Sequence, residues 1–464
     1  MVNDYTGNQA SKRAAMVVAT MASFLMPFMV SSVNVALPSI GQEFALDAVT
    51  LGWVPTSYLL ASAIFLLPFG RIADIYGRKR IFTYGIVIFT ASSFLLGLSP
   101  SAVLLISFRV LQGIGAAMTF STAIPIITSV FPAGERGKVL GINVASVYIG
   151  LSLGPTLGGV LTQNFGWRSI FFVSVIMGLA TIISILWKLK GEWAEAKGEK
   201  FDFIGSIIYG LALAAIIYGF SLLPAIAGIW LTVIGILGIL AFIWWELKSH
   251  SPVLNINIFR HNPVFFFSNL AALINYCATS AIGFLLSLYL QYIKVFSPAH
   301  AGLILLSMPA LQAIFSPLAG RLSDKIEPRI LASLGMALTT VGLSLFIFLN
   351  DTTALIFIIG NLMLLGFGFA MFSSPNTNAV MGSVERKSYG VASGILGTMR
   401  VTGQMFGLGI AMLLLALYIG RVQITHEYYL LFLKSAKTAF AIFAVLCFGG
   451  IFASLARGRA QREF

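Results

Sequence analysis

Gly70-Arg71-Ile72-Ala73-Asp74-Ile75-Tyr76-Gly77-Arg78-Lys79-Arg80 sets four basic residues and one acid between two uncharged runs, 52–70 and 81–98. Each run approaches the roughly 20 apolar residues that a helix needs to cross a hydrocarbon core of about 30 Å. A charged turn between two such runs reads as a hairpin of membrane helices whose connection lies at one bilayer face. The same alternation continues in both directions along the chain. Its 464 residues are 58% hydrophobic and 10% charged, with a mean hydropathy of +0.93, whereas a soluble chain is about 25% charged. A water-soluble fold is excluded. The expected fold class is an all-α integral membrane protein of about 14 transmembrane helices, at roughly 14–38, 52–70, 81–98, 102–122, 139–162, 168–187, 204–223, 226–245, 264–290, 301–320, 330–349, 353–373, 389–415 and 437–456.

An excess of Lys and Arg marks the cytoplasmic loops of a membrane protein. With the termini and every second loop on one side, only Arg168, Lys294, Arg421, Lys434 and Lys437 of the 29 basic residues fall opposite, while Arg109 and Arg400 fall inside spans. The expected placement is therefore multi-pass in the cell (plasma) membrane with both termini cytoplasmic. The first apolar run is long enough to span and lacks a small-residue cleavage site, so it reads as a retained helix rather than a secretory leader. The longest cytoplasmic link before mid-chain, Lys188 to Phe203, suggests the division: 1–190 as an N-terminal six-helix bundle, 191–250 as a linker with an inserted two-helix hairpin, and 251–464 as a C-terminal six-helix bundle.

The net charge of +13 sits in alternate loops rather than on one soluble face with interleaved aromatics, which argues against nucleic acid. Cys277 and Cys447 lie in apolar runs far apart, so neither a disulfide framework nor a metal spacing is present. Gly150-Leu-Ser152-Leu-Gly154 matches the hydrolase nucleophile elbow in letters, but that chemistry needs a strand-to-helix turn with a partner His, and here the string lies mid-span. No Walker loop points to ATP. The expectation is a protein that is not an enzyme and takes no cofactor.

The punctuation repeats. Gly320-Arg321-Leu322-Ser323-Asp324-Lys325-Ile326-Glu327-Pro328-Arg329 copies the Gly-x-x-x-Asp spacing of Gly70 and Asp74, again after the second long helix of its half. Without the hairpin the chain is six helices plus six, as a duplicated transporter would show. On these strings the chain resembles the major facilitator superfamily. Arg109-Val-Leu-Gln112-Gly113-Ile-Gly115, Gly150-Leu-Ser-Leu-Gly154-Pro155-Thr-Leu-Gly158-Gly159, and Asn34-Val-Ala-Leu-Pro38 closing the first helix are similar to further signatures of its fourteen-span branch of multidrug:proton antiporters. The resemblance implies a major facilitator fold, two six-helix bundles plus a two-helix insert, and secondary transport by alternating access. It also implies conformational roles for Gly70, Asp74, Gly77, Arg78, Gly320 and Asp324 in the loops, and for Gly154 and Pro155 at a helix bend.

An Arg at mid-bilayer costs at least about 2.5–3.5 kcal/mol on insertion scales, so it faces a cavity or a partner. Arg109 shares a helix face with Gln112, and Arg400 shares one with Gly403 and Gln404. Arg109, with Gln112 beside it, is expected to bind an acidic or polar head group directly, with Arg400 as a second, weaker contact, and Asn34, Asn275, Gln312, Asn361 and Gln404 are the other polar groups expected to line the cavity. All 16 acidic residues fall in loops, tails or helix ends, and Met29 occupies the first-helix position where the branch carries an acid. A cavity with positive and no negative charge favours anionic or neutral amphipathic, lipid-like substrates. Expected partners are such a small molecule, membrane lipid, and protons as a candidate coupling ion. Two other readings stand: a conventional cationic multidrug/proton antiporter drawing its carboxylate from a helix margin such as Glu43 or Glu246, and a non-transporting membrane receptor with the same fold.

Overall fold

A computed structural model describes residues 9–189, 191–249, 251–385 and 389–458. Asp4, Lys190, Arg386, Lys387, Arg459, Arg462 and Glu463, which enter the charge pattern, lie outside them. The first half comprises α1 (Gln9–Glu43), α2 (Ala48–Tyr76), α3 (Arg78–Gly97), α4 (Ala102–Val130), α5 (Ala133–Phe165) and α6 (Arg168–Lys188). A hairpin of α7 (Phe203–Leu222) and α8 (Ile226–Lys248) follows, then the short α9 (Asn257–His261). The second half comprises α10 (Pro263–Leu288), α11 (Pro298–Leu305), α12 (Ser307–Ser323), α13 (Pro328–Phe346), α14 (Leu355–Gly382), α15 (Tyr389–Tyr418) and α16 (Tyr429–Ala456). A π turn, Tyr289–Ile293, prolongs α10, and α11 and α12 together make one span, so 14 helical segments among the described residues are long and apolar enough to cross a membrane. The fold is all-α with fourteen spans, as the apolar runs require.

The helices outrun the apolar windows at several ends. Asp47 caps α2, accepting the Val49 and Thr50 amides at 2.9 Å, and satisfies donors the first turn leaves open. α2 then continues to Tyr76, so Asp74 lies in its last turn and the connection to α3 shrinks to Gly77, whose φ of +120° is glycine territory. α1 runs through Pro27 and Pro38 to Glu43, so the Asn34–Pro38 string lies inside the helix instead of closing it. Prolines persist in membrane helices because neighbouring helices and polar side chains re-satisfy the freed backbone groups. α16 starts at Tyr429, earlier than residue 437, and places Lys434 and Lys437 in its opening turns.

Close approach at small residues holds each half together, as expected where lipid removes the hydrophobic drive between helices. A Cβ on Gly115 of α4 would sit 2.6 Å from the Phe89 nitrogen and 2.7 Å from the Gly85 carbonyl of α3. In the second half Gly335 of α13 meets the Gly368 carbonyl of α14 at 2.6 Å in the same way. Gly113 abuts the Tyr58 carbonyl as Gly366 abuts that of Met308. Gly150 and Gly154 of α5 lie on Phe24 and Ser31 of α1, and Gly403 and Gly407 of α15 lie on Leu273 and Ser280 of α10. The two halves thus repeat contact for contact, as two bundles. α7 lies against α2 and α15, with the Tyr209 hydroxyl donating to the Ala63 carbonyl at 3.3 Å. α8 turns Trp230 and Leu237 outward.

The bundles meet at the end remote from the termini. There the Ala48 amide donates to the Val422 carbonyl at 2.9 Å, Gln291 Nε2 donates to the Val35 carbonyl at 2.9 Å, and Gly159 lies on the Pro298 backbone. At the terminus-bearing end a Cβ on Gly141 of α5, on Gly382 of α14, or on Gly390, Gly394 or Gly397 of α15 would meet nothing within 4 Å. The bundles are thus joined at the far end, and at the terminus-bearing end these glycines of α5, α14 and α15 face open space.

Candidate functional site

Arg400 lies near the middle of α15, just inside the open end. Its Nη2 donates to Thr377 Oγ1 of α14 at 2.7 Å, and its guanidinium lies 5.5 Å from the centroid of the Tyr276 ring of α10. Its buried Nε has no partner, and among the described residues no carboxylate pairs with it. Tyr276 packs edge-on against Phe369 at 5.2 Å, and its hydroxyl lies 3.3 Å from Ser373 Oγ. Tyr148, on α5 of the other bundle, donates to the same Ser373 Oγ at 3.2 Å. This cluster joins an aromatic wall, hydroxyls and an unneutralised guanidinium where the two bundles face each other. A guanidinium presents a planar fork of donors suited to a carboxylate, phosphate or sulfonate group.

Arg109 has a different setting. It is 1% exposed, two turns from the far end of α4, with Nε donating to the Val54 carbonyl at 3.1 Å and Nη1 to Gln112 Oε1 at 2.6 Å. The Tyr58 ring lies 4.5 Å away, and Gln112 Nε2 passes the chain on to Ser93 Oγ at 2.8 Å. These partners all belong to α2, α3 and α4, so Arg109 and Gln112 are tied inside the first bundle. Asn361 donates to the Gly342 carbonyl at 2.8 Å within the second bundle. Asn275, fully buried on α10, leaves both amide atoms without a hydrogen bond, and buried Gln312 lies on α12. Asn34 faces α10 near Gly283 with its Oδ1 unpaired. The Gln404 carbonyl accepts from Ser280 Oγ at 3.1 Å, one turn from Arg400. Of the expected cavity residues, Arg400 belongs to the inter-bundle cluster and Asn275 directly precedes Tyr276 on α10, whereas Tyr148, Tyr276, Phe369, Ser373 and Thr377 themselves carry no signal in a single sequence.

The motif glycines act through contact. Ser32 Oγ donates to the Gly154 carbonyl at 2.9 Å, and Gly302 of α11 lies against the Pro155 carbonyl, so the Gly154-Pro155 step touches both bundles. Asp74 binds Arg78 at 2.7 Å. Gly320 faces Ser374, and Asp324 caps the end of α12.

The sequence matches the Major Facilitator Superfamily over residues 19–270 and again over 268–463. It is 32% identical over 407 residues to the multidrug resistance protein Stp of Mycobacterium tuberculosis (strain CDC 1551 / Oshkosh), covering 85% of this chain and 74% of that protein. The chain belongs to the Major Facilitator Superfamily. The chain is also 30% identical over 421 residues to the cephamycin export protein CmcT of Amycolatopsis lactamdurans, covering 87% of this chain and 85% of that one. In fold the chain is similar to a bacterial homologue of the human lysosomal transporter Spinster in an inward-facing, unoccupied conformation, with a TM-score of 0.69 and 16% identity over 97% of this chain and 98% of that one. As a major facilitator protein the chain is a membrane transporter and not an enzyme.

The carboxylates near this major facilitator core are few. Met29 is fully buried in α1. Glu43 is occupied, accepting from Trp167 Nε1 and Arg168 Nη1 at 2.7 Å each. Glu246 is 3% exposed near the end of α8, where Oε2 accepts the Leu254 amide at 2.8 Å and Oε1 has no partner. One basic residue read as a loop flank is in fact interior: Arg457, just past α16, is 2% exposed and donates to Ser454, Ser268 and Asn376. Burial pushes it down to about 10, and it remains charged at neutral pH.

Proposed function

We propose that the chain is a secondary exporter of amphipathic small molecules in the plasma membrane, working by alternating access with a cavity that favours anionic or neutral ligands. The observation that carries this reading is Arg400, which lies on an aromatic wall where the two bundles face each other, with an unpaired Nε and, among the described residues, no ion pair to a carboxylate. An uncompensated cation at the bottom of a low-dielectric cleft attracts anions and repels cations. Arg400 and Gln404 then contact the head group directly, with Asn275, Gln312 and Asn34 on neighbouring helices. Arg109, Gln112 and Asn361 act from within the bundles, positioning the helices that carry the wall. The names of Stp and CmcT, a resistance protein and an export protein, support the outward direction.

The division 1–190, 191–250 and 251–464 assigns one bundle to each rocking unit and leaves the α7–α8 hairpin alongside both. The basic asymmetry of the loops assigns the termini, and with them the open end, to the cytoplasm. Closing that end brings the Gly70–Arg78 and Gly320–Asp324 junctions into play, with Gly154 and Pro155 at the surface where the bundles slide. The competing cation/proton antiporter draws its support from Glu246, whose Oε1 is buried without a partner.

Purified protein in liposomes tests the reading with two xanthene dyes of one ring system, anionic fluorescein ethyl ester and cationic rhodamine 6G. Carriage of the anion, lost in Arg400→Gln, supports the proposal. Carriage of the cation alone, with proton dependence abolished by Glu246→Gln, makes the antiporter the better reading. Saturable binding of either dye without flux makes the protein a receptor.

A further inference from the structure

The segment Gly191–Lys200 between the first bundle and the hairpin is bound to the α2–α3 junction through Glu192, Trp193, Glu195, Ala196 and Glu199. The Arg78 amide donates to the Trp193 carbonyl at 2.8 Å, and the Ala196 amide donates to the Asp74 carbonyl at 2.9 Å. Three acids of the segment each take a basic residue of the junction. Glu195 receives Arg78 through both oxygens, at 2.6 and 2.9 Å. Glu199 pairs with Arg71. Glu192 accepts the Lys79 amide at 2.8 Å and lies 3.7 Å from Arg80. The seat is shaped as well as charged, because a Cβ on Gly77 would meet the Glu192 carboxyl carbon at 2.5 Å.

These are the residues that the Gly70–Arg80 motif offers for gripping the opposite bundle when the terminus-bearing end closes. In the open molecule the chain's own linker grips them instead. With Asp74 and Ser129 taking its other donors, the Arg78 guanidinium has none left for a further carboxylate while Glu195 is seated. The bidentate Arg78–Glu195 pair is the strong kind of charge-assisted bond; Arg78 keeps only 6% of its side-chain surface exposed but Glu195 keeps 68%, so salt reaches the pair from the Glu195 side. On the second bundle, Asp324, Glu327 and Glu385 stand at the same end of the molecule, Glu327 paired with Arg329 at 3.0 Å.

We propose that the basic face of the α2–α3 junction serves two partners in turn: the acidic linker, through Glu192, Glu195 and Glu199, while the terminus-bearing end is open, and the second bundle when that end closes. The linker is thus a strap that favours the open state. This rests on the alternating-access reading above.

The test is a triple variant of the full chain, Glu192→Gln with Glu195→Gln and Glu199→Gln, carrying Gly394→Cys on the open wall of α15. Both native cysteines are buried, so labelling by a sulfonated maleimide reports on the gap. The strap predicts labelling slowed about threefold or more relative to the Gly394→Cys parent in low salt. It also predicts that about 0.5 M NaCl, where the screening length falls to a few ångströms, slows the parent by a similar factor and barely changes the triple variant. Should the triple variant fail to fold, Glu199→Lys alone must slow labelling, and adding Arg71→Glu, which restores the pair with its signs exchanged, must recover it. A triple variant labelled at the parent's rate, while fluorescein ethyl ester alters labelling of the parent, overturns the strap and leaves alternating access standing. Labelling that neither dye, salt nor substitution alters overturns both.

Discussion

The two bundles share a backbone plan and differ in where they bury polarity. Registered on their paired glycines, Tyr58, Ser93, Arg109 and Gln112 of the first bundle fall on Met308, Leu343, Leu362 and Leu365 of the second. Conversely, Tyr276, Ser373, Thr377 and Arg400 of the second bundle fall on Pro27, Phe120, Ile124 and Val147 of the first. Each half therefore shows that the other's polar cluster is not required by the fold. A buried charge is weak evidence of stability, since well-packed apolar residues of similar volume serve at least as well. The clusters call for a reason in the working cycle, and only that of the second bundle faces the gap.

The largest effects should come where the halves are alike. Gly113→Leu and Gly366→Leu each drive a side chain into backbone that already excludes a Cβ, an overpacking strain of about 1–3 kcal/mol or more. Both should abolish accumulation of folded protein in membranes, checked by fluorescence-detected size exclusion. Equal damage in the two halves upholds the repeat, whereas tolerance in one breaks it. Next comes Arg109→Leu, which leaves the buried Gln112 Oε1 without its donor and should cost about 1–3 kcal/mol, seen as a lower unfolding temperature in detergent. Adding Gln112→Leu and Ser93→Leu, in imitation of the second bundle, should recover most of that loss. Failure to recover would mean the first bundle needs its polar core.

Arg400→Gln should leave the unfolding temperature nearly unchanged, because the guanidinium is only part-buried and makes one side-chain bond. It should weaken binding of fluorescein ethyl ester about tenfold, or about 1.4 kcal/mol, measured by ligand-induced thermal stabilisation. The smallest effect is expected of Glu195→Gln, because Arg78, itself buried, keeps its bonds to Asp74 and Ser129.

Most of the architecture was legible because a membrane imposes length and composition on every span, and the charged turns at Gly70–Arg80 and Gly320–Arg329 announce the repeat. Helix ends were less so: α2 reaches Tyr76 and α1 passes Pro38, because a helix can project beyond the hydrocarbon and carry charge there. The site was legible only in part. Arg109 and Arg400 present the same pattern of Arg with small and amide neighbours at helical spacing, yet one face turns into its own bundle and the other toward the gap. That choice depends on which helix packs behind, a long-range fact absent from local spacing. Tyr148 and Ser373 are unremarkable in sequence and meet across 225 positions. Arg457 looks like a loop flank because it follows the last apolar run, and only packing of α10, α14 and α16 encloses it.

The most direct test of the account is the charge preference of transport in the reconstituted protein, read as paired initial rates for fluorescein ethyl ester and rhodamine 6G in wild type and Arg400→Gln. The account predicts that wild type carries the anion at least about tenfold faster than the cation and that Arg400→Gln removes this difference. A wild-type protein that carries rhodamine 6G and ignores the anion, with Arg400→Gln indistinguishable from it, would contradict the account.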